Sequence, residues 1–489
     1  MIIQTLISGF RISLYSFEKE WLSFCIIFQN FKIMKTKLLI FSLLASQILF
    51  SCSEKEDPIL PPPVQLELEI QNTVAEKWAA MTLRHIFVQP AKTPTYVSRS
   101  LGYIGLTMCE TVAPGSIIYQ SIAPQLNGMI NLPKTELNKK YDWETSLNTG
   151  QAYIIKKMWQ HSLEDDNKRL DSLEVAILNQ RKEVIKDTAI INRSQRFGLK
   201  IAEIIYNWSL TDGGHLGYLK NFETSYKYPE GDQYWVPPLN GQSPVLMPLH
   251  PNWGKNRTFS VSNSMLAIPQ IIPFSTDKNS ANFKEFQELY DIQLKLTQEQ
   301  KEIANWWGDD PSDTYAPSGH SYSLALQLIN LKKTNLFVSA MTFAKVGMAT
   351  ADAFINCWKC KYTYHSLRPM QFIRKNINGA FTQYWPEPPF PAFASGHSTQ
   401  SSATAEVLIS VFGDNVSFDD NTHVGRPKDI FRNVEYKKRS FTSISQTAIE
   451  CGISRLYGGI HTRQDNEIGL AEGKKVGANI NGLTWKITK

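Results

Sequence analysis

Apolar residues recur at helical spacing over most of the chain, the mark of helices that bury one face. The pattern predicts helices over residues 66–88 and 98–112, with breaks at Pro90 and Pro94 between them. Two helical segments follow from 145 to 209, the second running around Leu170–Trp208 with its charges on one face. Helical patterning returns at 282–307 and, after a turn at Pro311–Ser318, from about 320 to 367. Residues 211–280 differ: Gly213-Gly214, Pro229, Pro237-Pro238, Pro244, Pro248, Pro251 and several aromatics show no sustained period. A loop of that length in a compact domain is usually a functional cover. Strand patterns are scarce and no solenoid repeat appears. The chain therefore reads as all-α, a multi-helix bundle with one long loop region.

The N-terminal segment has a different logic. Met34-Lys-Thr-Lys precedes an apolar run from Leu38 to Phe50, and Ser51-Cys52 closes it. A positive start, an apolar stretch too short to span a bilayer and a small residue before the cut make a secretory signal. Leu49-Phe50-Ser51-Cys52 resembles a bacterial lipobox, in which the cysteine is lipidated after cleavage. On this reading residues 1–33 are an upstream start-site artefact, 34–51 the signal peptide, and 52–65 an acylated Cys52 with a Pro-rich tether. The tether (Pro58, Pro61-Pro62-Pro63) has no means of packing. The helical domain would occupy 66–489, held to the outer membrane of the cell envelope through the lipid alone.

Length and charge narrow the function. The 489 residues suffice for a large core. The formal net charge of +6 is spread along the chain, which gives no support to nucleic-acid binding. Of six cysteines, Cys109, Cys357, Cys360 and Cys451 remain after Cys25 and Cys52 are set aside. Cys357-Trp-Lys-Cys360 has the spacing of a redox dithiol but sits in a helical pattern, without the strand that such a site follows. The set also lacks the histidine spacing of a zinc site.

The chemistry concentrates in 358–465, where three clusters follow one another. Lys361 and Arg368 lie seven residues apart, two helical turns, with Trp358 and His365 on the same stripe and Pro369 ending the helix at Arg368. Ser395-Gly396-His397 opens a helical run, where amides favour an anion and glycine admits close approach. Ser454-Arg455 closes a third helix that starts with a capping-box pattern at Ser443 and Gln446 and breaks at Gly458-Gly459. His461 follows the break, Thr462 caps the next helix, and Asp465 can reach the imidazole and fix its tautomer. Each cluster alone is no more than a solvated basic face or a cap. A second copy, Ser318-Gly319-His320, reads as a helix-capping loop at the site entrance, together with His365 and Trp306-Trp307.

In combination the clusters say more. Lys-x6-Arg-Pro, then Ser-Gly-His, then Ser-Arg-x5-His-x3-Asp resembles the signature shared by type 2 phosphatidic acid phosphatases and vanadium-dependent haloperoxidases. Ala394 departs from it, standing where the family usually has proline, which alters turn stiffness but removes no chemical group. Pro251-Asn-Trp-Gly254, Ile303-Ala-Asn-Trp-Trp307, Ala351 to Trp358 and Pro388-Pro-Phe390-Pro-Ala look like the bacterial haloperoxidase branch. The resemblance implies the helical-bundle fold of the chloroperoxidase and acid phosphatase type.

It also implies roles. His461 would ligate vanadium, with Lys361, Arg368, Ser395, the Gly396 amide and Arg455 holding the vanadate oxygens. His397 would be the acid–base residue that activates hydrogen peroxide, and Asp465 would hold His461. Trp358 and Phe390 fall where these enzymes place halide-pocket aromatics. The expected reaction is oxidation of iodide or bromide by hydrogen peroxide. The alternative is an acid phosphatase that acts on phosphate esters through a phosphohistidine at His461, with His397 protonating the leaving group. A lapsed enzyme serving as a binding module ranks last, because every signature position is intact.

Overall fold

The helix at the centre of the molecule owes its place to composition: from Ser339 to Lys361 almost every side chain is buried. A computed structural model describes residues 74–487 apart from Ala91, Met129 and Ile130. The signal segment, Cys52 and the tether lie outside the described residues. These residues fall in one unit, Val64–Lys489.

Chain order begins with α1 (Val74–Val88) and α2 (Pro94–Glu110), and Pro94 starts the second helix rather than merely separating the two. Next come α3 (Trp143–Met158), α4 (Glu164–Val184) and α5 (Thr188–Ser209). The long helix expected over Leu170–Trp208 is thus two, because Asp187 accepts from the Ala189 amide and caps a new start. Residues 211–280 form the expected long loop, with only short turns and α6 (Val261–Ser264). Then follow α7 (Ala281–Gln293), α8 (Gln298–Trp306), α9 (Ala316–Lys332) and α10 (Leu336–Tyr364). The helix predicted from about 320 to 367 is broken between α9 and α10, where Lys333 takes φ 49° and Asn335 caps the new start. The chain closes with α11 (Pro369–Asn376), α12 (Gly396–Phe412), α13 (Ile444–Tyr457) and α14 (Arg463–Asn481). Among the described residues the only sheet pairs Phe418–Asp420 antiparallel with Arg439–Phe441.

Two close helix pairs frame the site. α2 lies along α10, where a methyl on Gly105 would meet the Phe343 carbonyl at 2.5 Å. α12 lies along α14, where a methyl on Gly473 would meet the Thr399 carbonyl at 2.1 Å. The second crossing holds the start of α12 beside the start of α14, which brings Ser395 to Asp465: the Ser395 amide donates to the Asp465 carbonyl at 3.0 Å. The long loop is laced to the segment after α11, Leu249 N donating to Pro389 O and Gln242 N to Glu387 O, each at 2.8 Å. Among the described residues no helix is long and apolar enough to cross a membrane.

Candidate active site

The three clusters meet at one wall of a cavity of about 580 Å³, lined by Trp358, Phe390, Gly396, His397, Arg455 and His461 among others. Lys361, Arg368 and Ser395 stand directly behind this wall and are fully buried.

Lys361 and Arg368 reach it by a different route from the one expected. α10 stops at Tyr364, His365 turns the chain with φ 48°, and Arg368 is the N-cap of α11 with Pro369 at its first position. The two cations therefore do not share a helical face, and His365 is not on the Trp358 stripe. Lys361 Nζ donates to the carbonyls of Pro391, Ala392 and Ala394 at 2.9, 2.7 and 2.7 Å. Burial pushes its pKa down to about 7, while three carbonyl acceptors favour the form with a proton for each, the ammonium. Arg368 donates through Nε to Phe390 O and through Nη1 to Ile460 O and His461 Nε2, leaving Nη2 without a partner. Arg455 donates through Nη1 to Trp307 O at 2.6 Å and leaves Nε without one. Burial lowers the pKa of both guanidiniums to about 10.

The histidine of the third cluster has a defined tautomer. A guanidinium only donates, so His461 Nε2, 3.1 Å from Arg368 Nη1, carries a lone pair. The proton then sits on Nδ1, which donates to Asp465 Oδ2 at 3.0 Å. Burial first, then Arg368 and Lys361, hold the imidazole pKa well below its ordinary value. Asp465 Oδ2 also accepts from the Thr462 amide at 3.3 Å at the start of α14, and burial raises its carboxyl to about 7. The break before His461 needs glycine: Gly459 has φ 79°, in the left-handed region. The Ser443 box expected at the start of α13 does not close; Gln446 Oε1 accepts from the Thr442 amide and hydroxyl instead.

Ser395 is the N-cap of α12 and accepts from the Ser398 amide and hydroxyl. A methyl on Gly396 would make only ordinary contact with Phe354, Trp358 and Cys357, so packing does not demand glycine there. His397 Nε2 has no hydrogen-bond partner, and burial with Arg455 beside it holds the ring pKa well below normal. Trp358 and Phe390 lie 4.9 Å apart between ring centres, with Phe390 5.1 Å from the Arg368 guanidinium and 5.2 Å from Lys361 Nζ.

This donor set fits an oxyanion. Three buried cations, Lys361, Arg368 and Arg455, face two carboxyls, Asp465 and Glu387, each raised by burial to about 7. Unpaired N–H groups on Arg368 and Arg455 complete a positive pocket that a bound anion would neutralise. The cysteines contribute little: all four described are free and buried, with no bond between Cys357 and Cys360.

Sequence reasoning missed Asp309, Asp420 and His423, and misplaced His320. Ser318-Gly319-His320 is the first turn of α9, not a capping loop, and His320 is buried behind His397. Its Nδ1 lies 2.9 Å from Asp309 and its Nε2 2.8 Å from Asp420. Trp306 and Trp307 are likewise buried around it rather than placed at an entrance. His365 meets the Tyr226 hydroxyl away from the cavity wall. Only the second Ser-Gly-His pointed to this region.

The fold is that of known enzymes. The family model of the VCPO second helical-bundle domain matches residues 341–386 and 376–488. The crystal structure of the first bacterial vanadium-dependent iodoperoxidase superposes with a TM-score of 0.73 at 27% identity, covering 85% of this chain and 97% of that one. The chain is thus similar to the vanadium-dependent haloperoxidases, in its overall fold and in the second helical bundle. A holo-type bacterial vanadium-dependent chloroperoxidase shares the fold with a TM-score of 0.61 at 16% identity, over 82% of this chain and 93% of that one. Its apo-type counterpart does so at 14% identity with the same TM-score, over 81% and 95%. No curated protein matches the chain. All three haloperoxidase clusters lie inside the matched segment, 341–488.

Proposed function

We propose that the protein oxidises halide with hydrogen peroxide at a vanadate held by His461, with iodide the preferred halide. The observation that carries this is the neutral His461, its Nε2 lone pair turned to a pocket of buried cations and its Nδ1 proton held by Asp465. An unprotonated imidazole nitrogen is the form that ligates a metal, and the carboxylate behind it raises its basicity. Arg368 Nη2, Arg455 Nε, the Gly396 amide and Ser395 would hold the oxyanion's oxygens. Lys361, its three protons taken by carbonyls, would contribute charge rather than a free hydrogen bond. When bound, vanadate supplies a Lewis acid that activates peroxide for attack by halide.

The chain's own groups do the rest. His397, with Nε2 free and the ring neutral, takes a proton from peroxide and returns it as water leaves. Trp358 and Phe390 give the halide a polarisable wall, and the cations behind Phe390 offset its charge. Iodide is supported by its ease of oxidation and by the likeness to a bacterial iodoperoxidase. The test is a paired assay on purified protein: peroxide-dependent oxidation of iodide and bromide with orthovanadate, and phosphate release from a simple ester without it. Halide oxidation that needs vanadate and favours iodide is the expected result. Ester hydrolysis that vanadate inhibits, without halide oxidation, would reassign the site to phosphate chemistry.

We further propose that the mature protein begins at a lipidated Cys52 and is carried on the cell envelope; the pattern from Met34 to Cys52 supports this. Mass spectrometry of the mature N-terminus should find an acylated Cys52, and any other first residue would contradict it.

A further inference from the structure

Directly behind His397 lies a second buried cluster that the halide reaction, as described, does not use. Asp309 sits on the loop before α9 with φ 48° and lines the same cavity as His397. Its Oδ1 lies 2.9 Å from His320 Nδ1 and 2.9 Å from His423 Nε2, and its Oδ2 lies 3.1 Å from His320 Nδ1. The same Oδ2 stands 3.9 Å from His397 Nε2, the ring nitrogen without a partner. On the far side, His320 Nε2 lies 2.8 Å from Asp420 Oδ2. Asp420 is itself tied by Trp306 Nε1 at 2.7 Å and by the Thr422 hydroxyl and amide at 2.6 and 3.0 Å. Trp307 stacks flat on the His320 ring, 4.5 Å away and tilted 12°.

Both nitrogens of His320 therefore face carboxylate oxygens, and ionised carboxylates only accept. The arrangement calls for a proton on each nitrogen, an imidazolium clamped between two carboxylates. The opposing carboxylates outweigh burial and raise the ring to about 10, while Asp309 is held well below the usual carboxylate range against its own burial. Direct hydrogen bonds thus account for the spacing of Asp309, His320 and His423, whose ligand atoms lie within 4.8 Å of one another.

The charges around His397 give this clamp a purpose. The ring is faced by Arg455 from α13, Lys361 from α10 and His320 from α9, all cationic, and by one anion, Asp309. Asp309 in turn is faced by His320, by His423 (itself beside Arg426 and Tyr436), by His397, and by Arg455 and the Cys451 thiol of α13. Without an ionised Asp309, His397 would face cations and the neutral His461, with no anion to hold a transferred proton.

We propose that His320 is a positioning residue for His397: fixed as a cation between Asp309 and Asp420, it keeps Asp309 ionised and aimed at the proton-transfer ring. The inference rests on the reading of His397 as that ring. Remove His320 and Asp309, fully buried, loses its principal counter-charge and takes up a proton within the working pH range. His397 then loses its one anionic neighbour.

The test is a double-mutant cycle in the vanadate-loaded enzyme, His320→Gln against Asp309→Asn, reading kcat, peroxide KM and vanadate affinity across pH. His320→Gln should lower kcat about tenfold or more near pH 6 and recover most of it by about pH 8, an ionisation that wild type lacks. Peroxide KM and vanadate affinity should move less than about threefold, since neither binding step uses His320. Asp309→Asn should be slow at every pH, and adding His320→Gln to it should change kcat by less than about twofold. Multiplying effects, or no recovery with pH, would overturn the proposal. NMR of the histidine ring nitrogens in unmutated protein gives a readout apart from activity: one ring doubly protonated past neutral pH is expected. A His320 ring neutral at neutral pH would overturn the proposal even if the variants fail to fold. So would an equimolar metal ion in the protein that His320→Gln removes. Failure of wild type to oxidise halide would instead strike the function reading, and with it the role of His397.

Discussion

Two histidine–aspartate arrangements stand on either side of His397, built from the same residue types and set to opposite charges. His461 has one carboxylate, Asp465, and lies among Arg368, Lys361 and Arg455; its ring is neutral, with the Nε2 lone pair facing Arg368. His320 has two carboxylates, Asp309 and Asp420, and its ring is a cation with no lone pair free. Burial disfavours the charged form in both. What differs is the count of opposing charges within reach. A histidine next to an aspartate is therefore not a motif with one meaning: one here is made to ligate, the other to anchor a counter-charge.

The largest effect is expected at the ring between the two arrangements. His397→Ala should lower kcat by about a hundredfold to ten-thousandfold with vanadate affinity within about threefold of wild type, measured by single-turnover kinetics and vanadate titration. Loss of vanadate binding in that variant would move His397 into the anchoring set. Next, Asp465→Asn should weaken vanadate binding about tenfold to a hundredfold, because a neutral amide lacks the carboxylate's charge and can turn its NH2 to Nδ1, so the tautomer is no longer fixed. Asp420→Asn, which also takes a carboxylate from a histidine, should leave that affinity within about threefold, since His320 binds no ligand.

Stability against pH should separate the two histidines by sign. The folded pKa of His320 is raised, so its contribution is complete below about pH 6.5 and lost as pH rises through about 10. The folded pKa of His461 is lowered, so its contribution is present above about pH 6.5 and lost as pH falls. Unfolding free energies of His320→Gln and His461→Gln, each subtracted from wild type, should trend in opposite directions with pH; parallel trends would refute the charge assignment. The smallest effect is expected at the apolar wall. Phe390→Leu removes the ring that faces Arg368 and Lys361 and should raise the halide KM about threefold without changing vanadate affinity.

How much of this was legible in the sequence follows from the range of the interactions. The helical class, the long loop at 211–280 and the His461–Asp465 pair are local or periodic, and a single chain displays them. The break at Asp187 and the one at Lys333–Asn335 were hidden because no proline or glycine marks either; a carboxylate cap and a left-handed lysine do the work. Arg368 was placed on the wrong helix because two turns of spacing fit it as well as the N-cap it occupies. The charged side of the site left almost no trace. Asp309 meets His320 across a turn, but Asp420 and His423 come from a hundred positions away, delivered by the short sheet and the segment after it. The glycine pairing of α12 with α14 that sets Ser395 beside Asp465 is equally invisible without the partner helix.

In the proposed function a neutral His461 anchors an oxyanion that this chain uses to oxidise halide. The most direct measurement titrates orthovanadate into vanadate-free protein while following peroxide-dependent iodide oxidation, in wild type and in His461→Ala. Wild-type activity should rise from nothing to a plateau at one equivalent of vanadate, and the variant should stay silent throughout. Tight vanadate binding retained by the variant, or wild type that remains inactive at saturating vanadate, would contradict it.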